Sequence, residues 1–367
     1  MKAIILISEA SLPLAKTLQG ELKDALIYTK NEWEGCISIA SYHRFMEEHF
    51  NDFESIIFIG ALGICVRSMA GCLTNKYKDP AVVCVDSTGR FVISVLSGHV
   101  GGANELTRHI AGITGGEAVI TTQSDNAGLW ALDILATEYG WKTAVAHTEM
   151  NRMITLFVNR KPTALLLDIK DKGTDYLERT LPEHAKVFYH FEDIPQSEFG
   201  LMIAVTPYIY SAEIPMLCFR PAVFHLGVGC RKQCNPAGIA GYIEKVMREH
   251  RLCPLSLASV NTIELKKDEP LLETLRQQWP ESETHIYTSD ELKGIEVPNP
   301  SEKAFEVTGI YGVAESTALK SSGEGTLVLE KQKGVLTKGN HFTFAIALSA
   351  IALRGGHIET VGAGPGD

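Results

Sequence analysis

A hydroxyl, an imidazole, glycines, an amide and a carboxylate fall within nine residues, Ser97-Gly98-His99-Val100-Gly101-Gly102-Ala103-Asn104-Glu105. They follow an apolar run, Phe91 to Leu96, and open a helical pattern whose inner face reads Leu106, Ile110 and Ile113. Where a strand hands over to a helix, backbone N–H groups lack partners and the helix end carries partial positive charge. Such a place suits an anionic oxygen. An imidazole there can also move protons near neutral pH. A turn that served structure alone would need the glycines but not the imidazole and carboxylate.

Three further segments share this logic. Gly60-Ala61-Leu62-Gly63 follows the apolar run Ser55 to Ile59, and Arg67 lies one helical turn on, placed to pair with a carboxylate. It is not a Walker loop, since no Gly-Lys-Ser/Thr follows. Thr121-Thr122-Gln123-Ser124-Asp125-Asn126 ends the next strand and supplies good helix caps. In open α/β sheets ligands gather at the carboxyl ends of strands, so Thr121, Thr122 and Asp125 are expected to meet the 60–63 and 97–105 loops. Gly227-Val228-Gly229-Cys230-Arg231-Lys232 then places two cations at an expected helix start, where an anionic ligand would offset their repulsion with the helix end.

Scaffold and composition frame these candidates. The 367 residues suffice for two or three domains. A formal net charge of −10 argues against a general nucleic-acid partner, which needs a basic surface, but permits a local cationic pocket. No apolar run reaches the ~18–20 residues of a membrane span. Eight cysteines without a C-x-x-C pair fit buried thiols, so a cytoplasmic protein with no metal of its own is expected.

Strands are expected at 2–7, 55–59, 81–85, 91–96 and 118–121, with helices near 12–24, 64–70, 103–113 and 127–139. Asp86-Ser87-Thr88-Gly89-Arg90 reads as a hairpin between two strands. From 140 to 220 strand-like runs at 153–158, 164–169, 187–191 and 201–205 suggest a smaller, mixed, strand-rich middle domain. A second α/β domain, 221–350, starts with a strand at 222–226. It continues with a helix opened by Asn235-Pro236, a strand at 259–265, a helix from Glu269-Pro270 and a capping box at Thr288 and Glu291. A short helix at 313–320 and strands at 326–329 and 341–347 complete it. The expected fold is α/β: an N-terminal domain (1–139) and a C-terminal domain (221–350), separated by the middle domain, with a tail at 351–367.

These residues resemble a family. Arg67, Asp79 to Val83, Asp86, Gly89 to Ile93, Ser97 to Leu106 and Val119 to Thr122 resemble the N-terminal domain of cobalt-precorrin-5A hydrolases (CbiG). Gly229 to Lys232, Thr262 to Pro270, Val297 to Glu302 and Val313 to Glu315 resemble their C-terminal domain. The resemblance covers nearly all of 1–350. After 350, Gly356 to Asp367 resembles the opening strand and glycine loop of tetrapyrrole methylases, as in a fusion to a corrin-pathway methyltransferase.

The resemblance implies hydrolysis of the δ-lactone of cobalt-precorrin-5A in anaerobic corrin-ring construction, with loss of acetaldehyde. Cobalt would arrive inside the substrate, with no cofactor held by the protein. The implied partners are the cobalt-corrinoid, other corrin-pathway enzymes or a fused methyltransferase, and neither nucleic acid nor membrane. On chemical grounds His99 would be the general base, Glu105 or Asp86 would orient it, and the Gly101 and Gly102 amides would hold the oxyanion. Ser97 as an acyl-forming nucleophile is the rival. Arg67, Arg90, Arg231 and Lys232 would hold the substrate's carboxylates. Gly63, Gly98, Asn104, Thr121, Thr122, Asp125 and Gly229 would line its site. A corrinoid carrier without catalysis, or a nucleotide- or adenosylmethionine-binding enzyme, would account for the same loops.

Overall fold

A computed structural model describes residues 1–122, 128–336 and 341–354, the Val335 side chain apart. Asp125 and the glycine-rich tail, and with them the methylase-like reading, lie outside the described residues. The chain divides into two units, Met1–Ile134 and Leu135–Asp367.

The first unit holds a seven-stranded sheet in the order β3-β2-β1-β4-β5-β6-β7. Its strands are β1 (Lys2–Leu6), β2 (Ala25–Thr29), β3 (Ile37–Ser38), β4 (Ser55–Ile59), β5 (Ala81–Val85), β6 (Phe91–Leu96) and β7 (Glu117–Val119). Strands buried on both faces are apolar throughout rather than alternating, and β1, β4 and β5 fit that rule. Ile4, Leu6, Ile57 and Ile59 face one core with α1 (Leu12–Glu21) and α4 (Ala103–Thr114). Ala3, Ile5, Ile56 and Phe58 face the other, against α2 (Tyr42–His49) and α3 (Leu62–Met69).

All pairings in this sheet are parallel except β5 with β6, which are antiparallel. The 86–90 hairpin is therefore present, and Asp86 closes it by accepting bonds from the Phe91 amide (2.8 Å) and the Thr88 hydroxyl (2.6 Å). Burial pulls the Asp86 carboxyl up, but the bonds from Thr88 and Phe91 outweigh it and hold the group below its ordinary range.

In the second unit, β8 (Thr163–Leu167), β9 (Ala185–Phe188), β10 (Leu201–Val205) and β11 (Met216–Phe219) form a wholly parallel sheet. Helices α5 (Leu135–Tyr139), α6 (His147–Val158) and α7 (Lys172–Arg179) accompany it. The run at 153–158, expected as a strand, is the end of α6: Met150, Met153 and Phe157 are buried at helical spacing. Of the helix expected at 127–139, only α5 forms among the described residues.

The remaining sheet runs β14-β13-β12-β16-β15. Its strands are β12 (Phe224–Cys230), β13 (Leu257–Ile263), β14 (Glu283–Tyr287), β15 (Thr326–Val335) and β16 (His341–Leu348). Helices α8 (Ile239–Glu249), α9 (Pro270–Gln278), α10 (Ser289–Leu292), α11 (Glu302–Thr308) and α12 (Val313–Ser321) complete it. The expected capping box at Thr288 and Glu291 is formed. Gly227 lets α12 lie directly on β12: a Cβ there would come 1.9 Å from the Ala314 carbonyl oxygen.

Within this sheet a neutral histidine of β12 is locked in hydroxyls. His225 Nδ1 and Nε2 each lie 2.7 Å from a serine Oγ, of Ser259 and Ser349. Burial, assisted by nearby His285 and opposed by Glu283, pulls the imidazole down to about 4. An unfolded chain would take up this proton near pH 6.5, well before the folded one. Stability from this residue is thus full above pH 6.5 and is lost as pH falls toward 4, by about 3 kcal/mol. Denaturant unfolding at pH 7, 5.5 and 4.5 should show that decline, and His225→Gln should flatten it.

Candidate functional site

Strand polarity decides which loops can meet. Because β6 enters antiparallel to β5, the carboxyl ends of β6 and β7 lie at the opposite edge from those of β1, β4 and β5. The Ser97–Glu105 loop and Thr121–Thr122 therefore share one edge. Gly60–Gly63, Asp86 and Arg90 share the other, about 17 Å away at ~3.3 Å per residue over five residues. Arg67 belongs with that second group, since its guanidinium folds back over Gly63. The expected convergence of three loops is halved: Gly63, Arg67, Arg90 and Asp86 stand away from His99. Exposed Arg90 stacks over Phe91, 5.0 Å from the ring centre.

The His99 loop is built as a rigid turn. Ser97, buried and at φ +56°, donates its hydroxyl to the Asp79 carbonyl at 2.8 Å. Asp79 is itself buried, and its carboxylate accepts from the Thr74 amide. The Ser97 hydroxyl is thus a pin between segments, its proton held by the Asp79 carbonyl. The Ser97 and Gly98 carbonyls accept the Ala103 and Asn104 amides, and the His99 carbonyl accepts the Gly102 amide. Of the two amides expected to hold an oxyanion, Gly102's is already spent. Asn104 is buried, accepting from Ser94 (2.7 Å) and donating to Thr122 (2.9 Å), so it ties this loop to the end of β7.

Among the described residues, the carboxylate beside the imidazole is Asp133. Its Oδ1 lies 3.8 Å from His99 Nδ1, and its Oδ2 lies 2.8 Å from Lys76 Nζ. The Asp133 side chain is 5% exposed and that of His99 18%, so the pair is shielded while the imidazole still reaches solvent. Burial pulls the Lys76 ammonium down, yet Asp133 and Tyr77 prevail and hold it above its usual range. Glu105 stands exposed on the first turn of α4, and Asp86 closes the hairpin at the far edge of the sheet. Asp133 lies 34 positions after His99, past α4 and β7, and no motif spacing marks it.

In the second unit, Gly229, Arg231 and Lys232 line a hollow of about 590 Å³. Their setting differs from expectation. β12 runs on through Cys230, and α8 begins only at Ile239, after Gly238 at φ +79°. The two cations therefore sit at a strand end, and no helix terminus explains them. Lys266, Lys303, Lys331 and Lys333 line the hollow with them, and no aspartate or glutamate is among its lining residues. Lys331 and Lys333 could have been suspected from their i, i+2 spacing in a strand, which puts two side chains on one face.

Beside Lys331, Glu315 is fully buried, accepting from the Asn299 side-chain amide (2.8 Å) and the Lys331 backbone amide (3.0 Å). Burial lowers the Lys331 ammonium, Glu315 opposes that, and Lys333 adds to it; the net shift is downward. Burial, with Cys234 and Glu269 nearby, pushes the Cys230 thiol up to about 12, so it is no thiolate nucleophile near neutral pH.

Family models for cobalamin synthesis G match residues 44–125 (N-terminal) and 224–347 (C-terminus), and a cobalamin biosynthesis central-region model matches 130–221. A cobalt-precorrin-5A hydrolase of Priestia megaterium is 31% identical over 361 residues, 94% of each chain. The chain belongs to the CbiG family. Another protein of that name, from Salmonella typhimurium, is 30% identical over 273 residues, 73% of the CbiG chain described here and 76% of its own. Protein CobE from a Sinorhizobium species is 27% identical over 108 residues, 29% of this CbiG chain and 70% of its own.

The turn that carries His99 in this CbiG chain is tightly packed. A Cβ on Gly101 would lie 2.5 Å from Ser97 Cβ and 2.9 Å from its carbonyl oxygen. Gly101→Ala should cost about 2 kcal/mol or more by overpacking, read as a lowered thermal midpoint.

Proposed function

We propose that this chain is a hydrolase of corrin-ring construction that opens the lactone of cobalt-precorrin-5A and releases acetaldehyde to give cobalt-precorrin-5B. The family supports the hydrolase reading, and one observation carries the chemistry: His99 is held on a pinned turn beside the shielded carboxylate of Asp133. Cobalt enters as part of the substrate.

His99 takes a proton from water as that water attacks the lactone carbonyl, Asp133 holds the ring and balances the imidazolium, and Lys76 fixes Asp133. Collapse of the tetrahedral adduct leaves a carboxylic acid arm and frees the ring-side oxygen as an alkoxide. That oxygen forms the aldehyde C=O as the bond from the carbon that bears it to the macrocycle breaks. The bonding pair passes into the electron-poor ring, and acetaldehyde departs.

Anaerobic incubation with the lactone substrate, with the aldehyde trapped, tests this. His99→Asn should lower turnover by about 10² to 10⁴. Asp133→Asn should lower it less and move the pH profile of kcat. Ser97→Ala should keep the chemistry if the protein stays folded. Unchanged aldehyde release from His99→Asn would overturn the base assignment. Lactone left intact by the wild-type chain would overturn the hydrolase reading.

A further inference from the structure

The hollow of the second unit gathers Arg231, Lys232, Lys266, Lys303, Lys331 and Lys333 in a chain whose net charge is −10. Like charges so placed repel one another and destabilise the fold, so without an anion the arrangement has a cost. Local groups remove it only in part. Lys266 pairs with Glu269 at 3.6 Å, and the Lys331 ammonium donates to the Asn299 carbonyl near the buried Glu315. Among the described residues no carboxylate pairs with Lys232, Lys303 or Lys333.

Apolar side chains line the same hollow. Val307 is 70% exposed and Tyr311 43%, and the Tyr311 ring stacks on Phe305 at 4.4 Å. Phe342 and Val313 line the hollow as well. A small inorganic anion would satisfy the ammonium groups but leave this apolar surface wet. The two surfaces side by side fit one kind of ligand: a broad apolar ring with several carboxylates on its rim. The volume, about 590 Å³, is that of a ligand cleft and takes one edge of such a ring with its arms.

We propose that this hollow is a binding site for a polycarboxylate macrocycle, with Lys303, Lys331 and Lys333 holding separate carboxylate arms and Val307 and Tyr311 covering the ring face. The proposal rests on the hydrolase reading for the identity of the natural ligand. It adds a site that lies in a different unit from His99 and acts in binding rather than in proton transfer. Loss of a lysine here should raise KM and leave kcat much less affected, the opposite of changes at His99.

Uroporphyrin I, an octacarboxylate tetrapyrrole, is a suitable probe, followed by fluorescence titration against the full chain. Lys331→Gln with Lys333→Gln should weaken binding tenfold or more, and the uncharged octamethyl ester should not bind. Lys303→Gln, on an exposed helical face, gives a second reading that does not depend on the sheet. His99→Asn should bind uroporphyrin as the wild type does. Wild-type affinity in both lysine variants, equal binding of the ester, or displacement by millimolar inorganic phosphate or ATP would overturn the proposal.

The two readings fail separately. Uroporphyrin binding that depends on these lysines, in a chain that releases no acetaldehyde, leaves the site standing and sinks the hydrolase. Acetaldehyde release with an unchanged KM in the lysine variants does the reverse.

Discussion

The geometry around His99 depends on a single reversal: β6 returns beside β5 instead of crossing over to run parallel with it. A hairpin of five residues suffices for that return, whereas a parallel neighbour would need a crossover connection. The reversal carries the end of β6 to the edge where β5 begins, and there the Ser97 hydroxyl finds the Asp79 carbonyl. Had β6 been parallel, the His99 loop would have met Gly60–Gly63 and Arg67. Instead its neighbours are Lys76, Thr122 and Asp133.

Much of the scaffold was legible because burial on both faces leaves a plain mark. β5 is an unbroken apolar run, β1 and β4 are apolar after their first residues, and the hairpin from β5 into β6 carries a glycine-bearing turn. Caps were equally readable where side chains make them, as at Thr288. The stretch Met153–Val158 was not, because six apolar and β-branched residues fit a strand or the inward part of a helix equally well until Met150 is counted with them. β2 and α2 went unmarked: polar residues flank the short run of β2, and α2 buries only Phe45 and Met46, in a core shared with Tyr28, Phe50 and Phe53.

The site was legible in its residue types and illegible in its partnerships. His99, Arg231 and Lys232 announce themselves by standing beside glycines at strand ends. The carboxylate that faces His99 does not, because Asp133 reaches it only through the folded path of α4 and β7. Asp86 looked suitable on type alone, yet hairpin closure consumes its oxygens. Likewise Asn104 spends both ends of its amide inside the fold. A polar residue in a motif can be there for the turn rather than for a ligand, and only its hydrogen bonds tell the two apart.

Glu315 has a consequence of its own. By accepting from Asn299 and from the Lys331 backbone, one sealed-in negative charge clamps the segment that leads into α11 to the middle of β15. Both banks of the lysine-rich cleft are thereby moored before any guest comes. A guest there would have no backbone of those banks left to order, and the entropy it costs would fall on the lysine side chains alone.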